Sequence, residues 1–101
     1  MIKAIFKEQD DLYVSLDVSG HAQSGEYGKD LICASVSSIM FGFMNALDNL
    51  EENVEITQSD NRITVVDHSA SKTVQDYFEL VIIQLKTIEA SFGDFIRVER
   101  K

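Results

Sequence analysis

A single cysteine, Cys33, stands in 101 residues, and there is no proline at all. A lone thiol makes no internal disulfide, so covalent staples are excluded and a reducing cytoplasm is the expected setting. Without proline, element boundaries fall to glycine, aspartate and asparagine. Histidine is scarce too, with only His21 and His68. Structural zinc wants four ligands and catalytic zinc three, and neither CxxC nor HxxxH spacing occurs, so no metal centre and no cofactor are expected. Basic residues are few, 9 against 17 acidic, for a net charge of −8. That balance argues against direct nucleic-acid binding, which rests on Lys and Arg neutralising phosphates. No basic segment leads into an apolar run as in a signal peptide, and the apolar stretches are short and interrupted by charge. Neither a transmembrane helix nor a membrane partner is therefore expected. The acidity itself has two readings, solubility and attraction of a basic partner, and both stay open.

What is present suffices for one core. Apolar residues make up 45% of the chain, the ordinary share of a globular domain, and the length suits a single domain over 1–101. Ile2, Ala4 and Phe6 alternate with polar residues, as do Leu12, Val14, Leu16 and Val18 after a turn at Gln9-Asp10-Asp11, which reads as a β-hairpin. Val54 and Ile56, a turn at Ser59-Asp60-Asn61, then Ile63 and Val65 read as a second hairpin. Ile32, Val36, Ile39, Phe43, Leu47 and Leu50 mark one face of a helix that ends near Glu51-Glu52-Asn53. Met40, Phe41 and Met44 make that face wider than one side of a sheet requires. The excess is read as core or as a subunit interface. Ser69-Ala70-Ser71 offers N-caps for a second helix whose apolar face includes Val74, Phe78, Val81 and Leu85, stopping around Ser91-Phe92-Gly93. Phe95 to Arg100 is a last strand. The order ββαββαβ predicts an α+β domain, a mainly antiparallel sheet with two packed helices.

The chemistry concentrates between Gly20 and Ala34. A glycine-bearing loop, Gly20 to Lys29, joins a strand end to a helix start, and Gly25 and Gly28 around Glu26-Tyr27 make it easy to rearrange. Asp30, just before an apolar-periodic run, is the expected N-cap, and orienting His21 is its alternative job. That cap would put Cys33 in the first helical turn, where unpaired N–H groups and the helix dipole stabilise a thiolate. The Cys33 N–H would also face a developing oxyanion. His21, flanked by the small Gly20 and Ala22, would take the thiol proton. Ser37, one turn after Cys33, either lines the cleft or bonds back to a carbonyl. The plainer readings are a buried small thiol and a solvated strand-end histidine. Gly25-x-x-Gly28 lacks the GK[ST] that a phosphate loop needs.

These residues, Gly20-His21-Ala22, Gly25-Glu26-Tyr27-Gly28, Asp30, Cys33-Ala34 and Ser37, resemble the ribosomal-processing cysteine protease family of Firmicutes and related bacteria. The likeness covers essentially the whole chain and departs at Phe92-Gly93, where family members often carry an aromatic-proline pair. The resemblance implies a homodimer that removes the N-terminal extension of a large-subunit ribosomal protein, the L-twenty-seven homologue, after a phenylalanine-rich segment. It makes Cys33 the nucleophile and His21 the general base and acid, with Gly20, Ala22, Gly25, Tyr27, Gly28, Asp30 and Ser37 in support. The substrate so implied is a basic ribosomal protein, which would give the acidity a use. Two rivals stay open: a non-catalytic module in ribosome assembly, and a thiol-dependent acyl transferase or thioesterase.

Overall fold

Gln9 and Leu12 pair across Asp10 and Asp11, both at positive φ (54° and 65°). A two-residue turn of that kind has the twist of the strands it joins. The structure, a computed structural model, describes residues 1–20 and 27–101, with the backbone alone for 27–30. Its elements are β1 (Ile2–Gln9), β2 (Leu12–Ser19), α1 (Tyr27–Leu50), β3 (Val54–Ser59), β4 (Arg62–Asp67), α2 (Lys72–Phe92) and β5 (Ile96–Arg100). The sheet runs β3-β4-β2-β1-β5, and every neighbouring pair is antiparallel except β1 with β5. The ββαββαβ order and the mainly antiparallel sheet are as expected.

One face of the sheet carries the core. Ile2, Ala4, Phe6, Leu16, Val18, Ile63, Val65 and Ile96 are buried with Ile32, Val36, Met40, Phe43 and Leu47 of α1 and Val74, Phe78 and Leu85 of α2. Aromatic contacts tie the layers together: Tyr13 stacks on Phe78 at 5.7 Å, and Phe78 meets Phe43 edge-on at 5.2 Å. α2 packs on α1, β5 and β2.

Three expectations need correcting. In β2 the inward residues are Tyr13, Leu16 and Val18, whereas Leu12 is exposed and Val14 half-buried. The cause is a bulge: Lys7 pairs with Ser15 but Glu8 with Tyr13, so Val14 is an extra residue and the alternation changes phase. Second, α1 begins at Tyr27 rather than after Asp30. Gly28 costs a helix only about 1 kcal/mol relative to alanine, which a long packed helix absorbs. Third, Leu31–Leu50 is long and apolar enough to cross a membrane by length and composition. Within it Ile32, Met40 and Leu47 are almost wholly covered by the core, while Leu31 and Phe41 are exposed.

A polar cluster pins the start of α2. Asp67, at the end of β4, accepts from Ser69 N (2.8 Å), Ser69 Oγ (2.6 Å), Ala70 N (3.2 Å) and Gln75 Nε2 (3.0 Å). The Ser71 side chain caps α2 by accepting from Val74 N, as its place in the sequence predicts. Tyr13 lies beyond the residues of β2 that β4 pairs, Ser15 to Ser19. Gln75 takes both its main-chain groups, accepting from its N–H at 2.7 Å and donating to its C=O at 2.8 Å. The Tyr13 hydroxyl donates to Glu79. Burial and that carboxylate raise its pKa from 10.0 to about 12.

Candidate active site

The end of β2 is held from both sides and by the chain start. Ser19 pairs with Lys3 and Arg62, and the next residue, Gly20, donates its N–H to the Asn61 carbonyl at 3.1 Å. Gly20 has φ +83°, and a β-carbon there would overlap the main-chain oxygen of Met1. Only glycine adopts that angle freely, and here even a methyl has no room. The sequence singled out Gly20 for its small neighbourhood; the close approach to Met1 is the structural reason for it.

Cys33 is the free thiol, half-buried on α1 and packed against the core. It is the seventh residue of the helix, in its second turn, which corrects the expected first-turn position. In a regular helix its N–H points to the Lys29 carbonyl four residues back. That N–H is therefore committed to the helical ladder, and an oxyanion donor has to come from another group. Asp30, expected as the N-cap, is instead the fourth helical residue; an acid there still suits the positive end of the dipole.

Ser37, one turn on, is half-buried on the same side as Cys33. The back-bonding considered for it is seen at Ser35, whose hydroxyl donates to the Leu31 carbonyl at 3.0 Å. Tyr27 and Gly28 are helical rather than part of a loop. His21, Ala22 and Gly25 lie outside the described residues. The other histidine, His68, follows β4 at the end of the strands opposite Gly20, beside Asn53 and 3.3 Å from Glu55. From Cys33 to the end of α1 there are 17 more residues, about 25 Å of helix. His68 and Cys33 are thus held apart. Among the described residues no cluster could hold a metal ion.

Charge is uneven around this site. From Asp30 to Asn61 the chain has Asp30, Asp48, Glu51, Glu52, Glu55 and Asp60, and no Lys, Arg or His. From Asp30 on, α1 and the strand after it therefore carry only acidic charge, with Lys29 in the first helical turn the one basic residue of the two elements, a segregation that the overall composition hid.

Residues 1–97 match the family model described as Cysteine protease Prp. The chain belongs to the cysteine protease Prp family. The ribosomal processing cysteine protease Prp of Staphylococcus aureus is 35% identical over 89 residues, covering 83% of each chain. The crystal structure of the S. aureus Prp with a substrate peptide superposes with a TM-score of 0.92 at 27% identity, over the whole of both chains. A second S. aureus structure, with a covalently linked product peptide, gives 0.89 at 28% identity over the same extent. Membership makes this chain a cysteine protease of a ribosomal-processing family, and it bears out the resemblance read from the sequence as to family and enzyme class.

Proposed function

We propose that Cys33 is the nucleophile and His21 the general base and acid of an endopeptidase that trims the N-terminal extension of the L-twenty-seven homologue. The observation that carries this is a count of one: a cysteine protease needs a thiol, and Cys33 is the only cysteine in the chain. The histidine follows by elimination: the chain has two, and His68 lies beside Asn53 and Glu55 after β4, far from Cys33, which leaves His21.

In the reaction, His21 takes the thiol proton as the Cys33 sulfur attacks the scissile carbonyl carbon. Collapse of the tetrahedral intermediate breaks the C–N bond, and His21 hands its proton to the leaving amine. A water, deprotonated by His21, then hydrolyses the thioester, releasing the carboxylate and restoring the thiol. The covalently linked product peptide of the S. aureus Prp supports a covalent route. The substrate is a basic protein cut after an apolar, phenylalanine-rich segment, in the cytoplasm.

The enzyme works as a homodimer. A groove of about 310 Å³ between the helices is lined by Ile39, Gly42, Phe43, Leu80 and Val81, and the neighbouring Ile83 is 54% exposed. Apolar surface of that kind supports pairing with a second copy. Mass spectrometry of the ribosomal protein after exposure to the enzyme tests the proposal. The expected result is one cut after the apolar segment, with Cys33→Ala inactive; an uncut protein would overturn the substrate assignment.

A further inference from the structure

Both helices share one core with Ile2, Ala4, Val18, Ile63 and Ile96, and so lie on one face of the sheet. Successive side chains of a strand point to opposite faces, which puts Lys3, Ser19, Arg62 and Arg97 on the other face. Among the described residues no element covers it. The registers set these residues in one line across the sheet. Arg97 pairs with Lys3, Lys3 with Ser19, Ser19 with Arg62, and Arg62 with Ser59. The line crosses all five strands, about 19 Å at ordinary strand spacing. It holds cations and hydroxyls and no acid.

That face gathers basic charge in an acidic protein. Lys7 and Lys101 stand on it as well, so it carries five of the nine Lys and Arg residues. Against them it has only Asp17, Glu55 and Glu99. Arg62 reaches Asp17 at 3.3 Å and Lys101 reaches Glu99 at 3.8 Å. Among the described residues Lys3 and Arg97 pair with no acid, although they are register neighbours and both are exposed. Like charges set side by side on a sheet repel, and an anion bridging them would turn that repulsion into attraction. Lysine and serine are depleted at the cores of protein interfaces, which favour aromatic rings. Arg, Lys and Ser are, by contrast, side chains that contact phosphates. None of the paired positions on this face is aromatic, so unpaired bases would find no ring to stack on.

We infer that the helix-free face of the sheet docks the backbone of an RNA duplex along the line Arg97-Lys3-Ser19-Arg62. A duplex of RNA offers a wide, shallow minor groove lined by 2′-hydroxyls and phosphates, which suits a flat surface of cations and small hydroxyls. The net charge of −8 argued against nucleic acid because it averages this face with the acidic helical side. Screening confines each field to about 8 Å at 0.15 M salt, so the local sign decides the contact. The inference is independent of which residues perform the proteolysis.

Fluorescence anisotropy with a labelled RNA duplex tests it. Affinity should fall about fortyfold between about 0.05 M and about 0.2 M salt, as for three neutralised phosphates. With Lys3→Gln and Arg97→Gln combined, one cation of the line remains, and the fall should shrink to about three- to fourfold. That double variant should cleave a Phe-Phe peptide at the parental rate, which also shows that it is folded, because both side chains point away from the helices. Lys3→Arg keeps the charge and should bind as the parent does. On the parent alone, polyglutamate of equal charge should fail to displace the duplex, and a DNA duplex of the same sequence should bind more weakly. RNA binding that is absent, or that the double variant leaves unchanged, would overturn the inference. Equal displacement by polyglutamate would overturn it too and give the face to an acidic protein, and equal affinity for DNA would overturn the choice of RNA.

Discussion

Gly20 lies so close to Met1 that a β-carbon on the glycine would overlap the methionine's main-chain oxygen. Two constraints therefore meet at one residue, the φ of +83° and the missing space. Gly20→Ala should lose about 1–3 kcal/mol for the strained backbone and more for the displaced Met1 peptide. Because β2 leads straight into His21, kcat/KM should also fall at temperatures where the variant is fully folded. Urea melts beside peptide-cleavage kinetics check both; a variant as stable and active as the parent would remove Gly20 from the positioning machinery.

Much of this arrangement was legible in the sequence, and the failures share a cause. The order of elements along the chain and the second helix came through because alternation, the two-residue turns and the Ser71 cap are local signals. The inward face of β2 did not, because the Val14 bulge appears only once β1 is laid beside it. The start of α1 was misplaced because Asp30 has the chemistry of a cap while Tyr27, Gly28 and Lys29 carry no stop. Cys33 was found by its uniqueness and its motif.

Cys33→Ala should abolish cleavage and leave the fold intact. The side chain is half-buried, and a small thiol replaced by a methyl leaves little cavity. His21→Ala should lose about 10²–10⁴ in rate, the usual worth of general acid–base help. Cleavage of the peptide by each variant, with circular dichroism to confirm folding, provides the check. Parental activity in Cys33→Ala would refute the nucleophile assignment outright.

Tyr13 makes stability depend on alkaline pH. Burial first, then the Glu79 carboxylate, raise its pKa from 10.0 to about 12 in the fold. Between those values the folded state keeps the phenolic proton that the unfolded state has released, so stability falls as pH rises. The contribution is complete below pH 10.0 and lost as pH climbs through about 12. Chemical denaturation from about pH 8 to about pH 12 should show this decline in the parent and a smaller one in Tyr13→Phe. Parallel profiles for the two would mean that the hydroxyl is not the titrating group.

The segregated charge predicts how salt acts on the enzyme. A field from Glu51, Glu52, Glu55 and Asp60 beside the Cys33 helix would draw in a basic substrate from a distance. Screening shortens that reach from about 30 Å at 0.01 M salt to about 8 Å at 0.15 M. kcat/KM for a peptide with basic flanks should therefore fall as salt rises, while kcat stays flat, because steering acts on encounter and not on the thiol chemistry. A neutral peptide of the same apolar sequence isolates the effect, since it should show no such slope. Glu51→Gln with Glu52→Gln sharpens the test: both side chains are exposed and stand clear of Cys33, so the double variant should flatten the slope for the basic peptide alone. A kcat/KM independent of salt for both peptides would leave the acidity as a matter of solubility, and recognition would then rest on apolar contact.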